Sequence, residues 1–154
     1  IIKDDLSTTF IPTCSVVFRN KERIINLYEK YARDVISGDQ FLFYLCDFEG
    51  EIKFLNFIGG YYNQTEEGIS KKIGIRSNKW DTNRIVMFWK LLIIAPVSKK
   101  AMIINNSQSA LYNALEHGIK NILSNSFFPF TILFLLSSTM NPRYAFFRLR
   151  KLFN

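Results

Sequence analysis

Short, uninterrupted apolar runs alternate with stretches of helical spacing along this chain, and this alternation most constrains its fold. Residues 40–46 (QFLFYLC) and 101–104 (AMII) have the length and composition of strands that are buried on both faces. Residues 119–123 and 130–136 continue the pattern towards the C-terminus. Strands of this kind, alternating with helices, are typical of a parallel sheet that helices cover.

Segments with helical spacing separate the apolar runs. We interpret residues 28–37, 49–58, 84–94 and 110–117 as helices, and we expect a basic helix at about residues 142–153. Shorter stretches that favour strands lie at residues 13–18 and 23–27, on either side of a basic loop. No internal repeat or low-complexity linker divides the chain, so the pattern predicts one α/β domain over residues 1–154.

The composition allows a packed core and favours a polyanionic partner. Apolar residues make up 48% of the 154 residues, and 20 Lys and Arg against 13 Asp and Glu give a net charge of +7. Basic proteins of this kind often bind nucleic acid or anionic membrane surfaces. The 15 Phe and 7 Tyr against 7 Gly and 4 Pro indicate an AT-rich gene, for which organelle genomes are a common source.

No motif in the sequence assembles an active site. The glycine-rich motifs that cradle phosphates are missing, and the acidic turn at residues 47–51 is interpreted as a solvated loop. Cys14 and Cys46 form no paired motif and His117 is the single histidine, which argues against a metal site. The sequence therefore predicts no enzymatic activity, no cofactor, no metal and no small-molecule substrate.

Two longer apolar stretches, residues 85–97 and 127–136, are shorter than the roughly 20 residues that span a bilayer. We therefore predict no membrane span and expect buried elements or docking surfaces instead. The aromatic side chains that we interpret as core or protein-interface anchors are Trp80, Trp89, Phe127 and Phe128.

Basic residues fall into three clusters, and aromatic residues are interleaved with the last of them. Such clusters suit contacts with a phosphate backbone, although each single residue is equally explained as part of a solvated charged face. The candidate RNA-binding residues are Arg19, Lys21, Arg23, Lys71, Lys72, Arg76, Lys79, Arg84, Arg143, Arg148, Arg150 and Lys151.

Four blocks of the sequence, taken in order, resemble the small-subunit ribosomal protein S two family, in a divergent mitochondrial form. Residues 19–30 (RNKERIINLYEK) are similar to the family's R-N-K loop and I-I-[DN]-L strand. Residues 78–83 (NKWDTN) resemble its Trp motif with a Gly-Gly segment deleted. Residues 101–126 (AMIINNSQSALYNALEHGIKNILSNS) are similar to its strand, helix turn and N-S strand. The segment from residue 141, with FFRLRKLF, resembles its terminal helix without the two acids.

The resemblance implies a flavodoxin-like parallel sheet flanked by helices, with the family's helical hairpin reduced or absent. It implies a structural role in the small subunit of a mitochondrial ribosome in the matrix, with small-subunit rRNA and neighbouring ribosomal proteins as partners. Residues 40–46 (QFLFYLC) stand where the family has an I-L-F-V strand, and residues 47–49 (DFE) replace the G-T-K that normally follows it. The RNA contacts of that loop and of the deleted Gly-Gly segment are therefore not carried over.

Two other functions remain open on the sequence. A degenerate doubly wound nucleotide-binding domain would share the expected sheet but would need a ligand pocket at its strand ends. An accessory subunit of an organellar membrane complex would use the apolar stretch at residues 127–136 as a docking surface.

Overall fold

A computed structural model describes residues 16–50, 78–116 and 127–142, and all regular secondary structure in these ranges is helical. The helices are α1 (Glu22–Tyr31), α2 (Gly38–Glu49), α3 (Asn78–Ile94), α4 (Val97–Glu116) and α5 (Phe127–Met140). Because no strand occurs in these ranges, the expected α/β, flavodoxin-like parallel sheet is wrong. The described part of the chain is a helical assembly.

The run at residues 40–46, expected as a strand, lies inside α2. Its most deeply buried side chains, Phe41, Tyr44 and Leu45, are spaced three and four residues apart, and Phe48 packs on the core one turn later. A run that is apolar at nearly every position has no period of its own, so it cannot distinguish a buried strand from a buried helix. Packing against α1 and α3 decides in favour of the helix.

The expected strand at residues 101–104 is a turn of the long helix α4. Residues 110–116 of the helix expected at 110–117 are the end of the same helix, so no new helix starts at Ser107 or Ser109, although Ser is a favourable N-cap residue. The Ser107 hydroxyl instead donates to the carbonyl of Ile104 at 2.7 Å. Asn106, Ser107 and Gln108 are buried inside α4, although Asn and Ser favour caps and turns over helix interiors.

The expected strand at residues 130–136 is part of α5. Leu133 and Ser137, four residues apart, are buried, and the Phe130 and Phe134 rings stack with centroids 5.7 Å apart. Pro129 lies in the first turn, where a backbone N–H has no helical partner to lose, so the helix tolerates it.

The segment 23–27, expected as a strand, belongs to α1, which ends at Tyr31 rather than continuing to residue 37. Gly38, which directly follows the helix expected at residues 28–37, is the first residue of α2. The helix expected at residues 84–94 is confirmed, although α3 starts earlier, at Asn78. It ends before Pro96, which cannot supply the next helical N–H, and α4 follows at once.

Helices α3 and α4 form a hairpin, and α5 packs on both of them. Ile85, Met87, Phe88 and Leu91 of α3 are fully buried and form the centre of the core. The α1–α2 pair joins this bundle through α2, where the Tyr44 and Phe88 rings meet edge to face at 5.9 Å. Of the strand expected at residues 13–18, residues 16–18 are described and have no regular secondary structure. The elements expected at 49–58, 119–123 and 142–153 lie wholly or mainly outside the described residues.

Candidate functional site

The basic loop predicted at residues 19–23 leads into α1 and is tied to the end of α2. The Lys21 Nζ donates to the main-chain oxygen of Glu49 at 3.0 Å and lies 3.4 Å from its Oε2. The Arg23 Nη1 lies 3.0 Å from Oε1 of the same carboxylate. Cations are favourable at a helix C-terminus, where carbonyl groups are unpaired. The Arg23 side chain stays 65% exposed, and Arg19 is exposed as well.

The two predicted RNA contacts on α3 have different surroundings. Lys79 is exposed in the first turn. The Arg84 side chain is partly buried, with Nη2 3.4 Å from the Ser109 hydroxyl of α4 and the guanidinium 5.7 Å from the Phe88 ring. Burial lowers the pKa of Arg84, and the negative charge of Asp81 partly offsets this. Arg84 therefore connects α3 to α4.

The remaining candidate residues lie outside the described part of the chain. The predicted RNA-binding residues that lie outside the described ranges are Lys71, Lys72, Arg76, Arg143, Arg148, Arg150 and Lys151. His117 and Cys14 also lie outside them. The RNA-binding role of these basic residues stays a prediction.

The four predicted aromatic anchors differ in how far they are buried and in what they contact. Trp89 meets Phe128 edge to face at 5.5 Å, which joins α3 to the first turn of α5. Phe128 is still 62% exposed and Phe127 is 55% exposed. Trp80 is half-buried in the first turn of α3.

The acidic turn at residues 47–51 is engaged by cations rather than simply solvated. The Lys99 Nζ of α4 lies 2.9 Å from Asp47 Oδ2, and Glu49 holds Lys21 and Arg23 as described above. Residue 51 lies outside the described ranges. Across residues 16–50, 78–116 and 127–142, no group of three or more His, Cys, Asp or Glu side chains is placed to hold a metal ion.

Buried polar side chains lie where α2, α3 and α4 meet. The Asn106 amide donates to the Tyr44 hydroxyl at 3.0 Å, and the Asn113 amide lies 3.4 Å from Asp81 Oδ1. Asp81 is only 2% exposed. Paired polar groups inside a core favour one helix register over its alternatives, because a slip would leave them unpaired.

A basic face on α1 was not predicted from the sequence. Arg23, Asn26 and Lys30 are exposed and spaced three and four residues apart, and Arg33 follows in the next turn. That spacing was present in the sequence. It was not recognised because residues 23–27 were interpreted as a strand, in which the same residues would not share a face.

Within the described residues, no helix combines the length and apolarity that crossing a bilayer requires. No protein-family model, curated protein or solved structure matches this chain.

Proposed function

We propose that this chain is a non-catalytic structural constituent of a mitochondrial small ribosomal subunit, where it binds rRNA and neighbouring ribosomal proteins. The observation that carries the proposal is the order of the sequence blocks, above all residues 19–30 and 101–126, which resemble ribosomal protein S two. The net charge of +7 supports it, because phosphate neutralisation supplies much of the affinity for RNA.

The surface of the described helices supports both kinds of contact that the proposal requires. Arg19 and Arg23 present cations to solvent beside α1. Phe127, Phe128 and Leu135 of α5 are 55%, 62% and 59% exposed. Large apolar side chains left in water are a feature of surfaces that meet another protein.

The ribosomal role is inferred from the sequence resemblance, whereas the flavodoxin-like fold of the family is not proposed for this chain. Residues 40–46 and 101–104 correspond to strands in the family, whereas here they are helical. The same finding removes the basis for a doubly wound nucleotide-binding domain, because its ligand site would lie at the ends of parallel strands.

A second candidate is an accessory subunit of an organellar membrane complex. The exposed apolar side chains of α5 favour it, because they would dock on an apolar partner as readily as on a ribosomal protein. The basic residues beside α1 fit this candidate less well than they fit an RNA particle.

Co-sedimentation tests the proposal directly. The tagged chain, expressed in its own organelle, is expected to migrate with the small-subunit rRNA in a sucrose gradient and to leave that fraction after RNase treatment or in high salt. A soluble matrix enzyme on the same gradient is the control. Migration as an RNA-free monomer would overturn the proposal, and fractionation with membranes would favour the second candidate.

A further inference from the structure

The outward face of α1 carries a row of polar and basic side chains opposite its buried side. Arg23, Asn26 and Lys30 lie on this face, and Arg33 follows in the turn after the helix. Ile24, at the opposite side, is 3% exposed. We propose that this α1 face (Arg23, Asn26, Lys30 and Arg33) binds the sugar–phosphate backbone of RNA, an inference that rests on the proposed ribosomal function and extends it to a surface.

Contacts at both ends hold α1 in place. At its start, Glu49 engages Lys21 and Arg23. At its end, the Lys90 Nζ of α3 donates to the main-chain oxygen of Tyr31 at 3.0 Å and lies 3.5 Å from the Asp34 carboxylate. A helix fixed in this way presents its outer side chains with little further loss of backbone freedom on binding.

The side chains on the face match the chemistry of an RNA backbone. Arg supplies a planar fork of donors that suits a phosphate, Lys supplies a point charge, and the Asn amide both donates and accepts, as a ribose 2′-hydroxyl does. Arg23 and Lys30 are seven residues apart, which corresponds to about 10 Å along a helix axis. The two side chains are therefore far enough apart to contact different phosphates of one strand.

The composition of the face favours RNA over a membrane surface. A helix that lies on a bilayer buries an apolar face in lipid, whereas the buried side of α1 already packs in the core, with the Tyr28 ring 6.4 Å from that of Phe41. Glu22 and Glu29 are exposed on one flank of the row. They would repel a broad anionic plane, while a single strand can follow the cationic flank.

An RNA-binding assay tests the inference. Fluorescence anisotropy measures the binding of the 154-residue chain to a labelled single-stranded RNA oligonucleotide over a range of salt concentrations. Lys30→Gln and Arg33→Gln are each expected to weaken binding and to lower the slope of log K against log salt by about 1. Glu29→Gln is expected to strengthen binding. The matched control is Lys100→Gln, which removes the same charge from α4 and should leave the salt slope unchanged. Urea titrations verify that each variant is folded.

Equal weakening by Lys100→Gln, or no RNA binding by the unmodified chain, would overturn the inference. Preferential binding to phosphatidylserine vesicles with the same dependence on Lys30 and Arg33 would also overturn it, in favour of a membrane surface. Failure of the proposed function looks different. A chain that co-sediments with the small subunit but ignores the α1 variants refutes this inference alone, and a chain that binds RNA through α1 but never co-sediments refutes the ribosomal role alone.

Discussion

Single polar side chains hold the joints between the helices. The Asn83 side chain of α3 accepts a hydrogen bond from the Ile36 main-chain N–H and donates one to the Asp34 main-chain oxygen, both at 2.7 Å. Both partners lie in the connection between α1 and α2, so one amide joins that connection to the central helix. Lys90, two turns further along α3, contacts the main-chain oxygen of Tyr31 at the end of α1 and the Asp34 carboxylate in the same connection.

We expect Asn83→Ala to lower the free energy of unfolding by about 2 kcal/mol, because it removes two hydrogen bonds worth roughly 1 kcal/mol each. Urea denaturation monitored by circular dichroism measures the change. Asn105→Ala, at an exposed position of α4, is the matched control and should change the free energy by less than about 0.5 kcal/mol. Equal effects of the two variants would contradict the role given to Asn83.

Cys46 offers a test of burial that depends on pH. Burial raises the pKa of its thiol, because the apolar surroundings disfavour the thiolate. In a Cys14→Ser background, the rate of alkylation by iodoacetamide should therefore rise at a higher pH in the folded protein than in the same protein unfolded in urea. The raised pKa also makes the free energy of unfolding depend on pH. The stabilisation that comes from the neutral thiol is fully present below the pKa of the unfolded protein, and it is lost as the pH rises through the pKa of the folded protein. Coinciding rate profiles would show that Cys46 is not buried.

At the scale of the helix, the close approach of α1 to the start of α2 depends on a residue without a side chain. A Cβ at Gly38 would lie 2.6 Å from the Tyr28 hydroxyl oxygen. The Tyr28 ring is held against Phe41, at a centroid distance of 6.4 Å. Gly38 therefore serves the packing of two helices, not the termination of one.

Gly38→Ala should be destabilising in the native background, because the new methyl group must displace the Tyr28 hydroxyl. In a Tyr28→Phe background the obstruction is gone, and the same change should be neutral or stabilising by up to about 1 kcal/mol, since Ala favours a helix over Gly. Thermal denaturation of the four proteins gives the comparison. Additive effects of the two substitutions would contradict the contact.

Helix α5 offers a direct test of helix against strand. In a strand, Leu133 and Leu135 would share a face, whereas in a helix they point in nearly opposite directions. Leu133 is fully buried and Leu135 is 59% exposed. Leu133→Ala should therefore cost about 2–5 kcal/mol, and Leu135→Ala less than about 0.5 kcal/mol. Urea denaturation measures both changes in the free energy of unfolding. Similar losses for the two variants would contradict the helix and favour a strand.

At the scale of the whole molecule, the described surface combines exposed aromatic and aliphatic side chains on α5 with a basic face on α1. An isolated protein with large apolar side chains in water is expected to associate with itself. This behaviour is what a subunit separated from its assembly would show.

Sedimentation velocity of the purified chain should reveal association that grows with protein concentration. Phe127→Ser combined with Leu135→Ser should shift the distribution towards monomer, because both side chains are more than half exposed. Lys100→Ser is the control and should leave the distribution unchanged. Association that persists in the double variant would exclude α5 as its cause.

The sequence by itself determined the apolar segments and the basic character of the loop before α1. It also placed a helix over residues 84–94, because an apolar segment of that length is longer than an ordinary strand. The approximate sites of three basic clusters were equally visible, although only the first and part of the second lie in the described residues.

The tertiary structure decided whether each short apolar run is a strand or a helix. Residues 40–46 and 101–104 have no periodicity that separates the two, so burial against neighbouring helices settles their form. The same decision determines which polar residues share a face. Arg23, Asn26 and Lys30 form a row only once α1 is a helix. Arg84 lies against Phe88 only once α3 is a helix, and it reaches Ser109 only once α4 packs on α3.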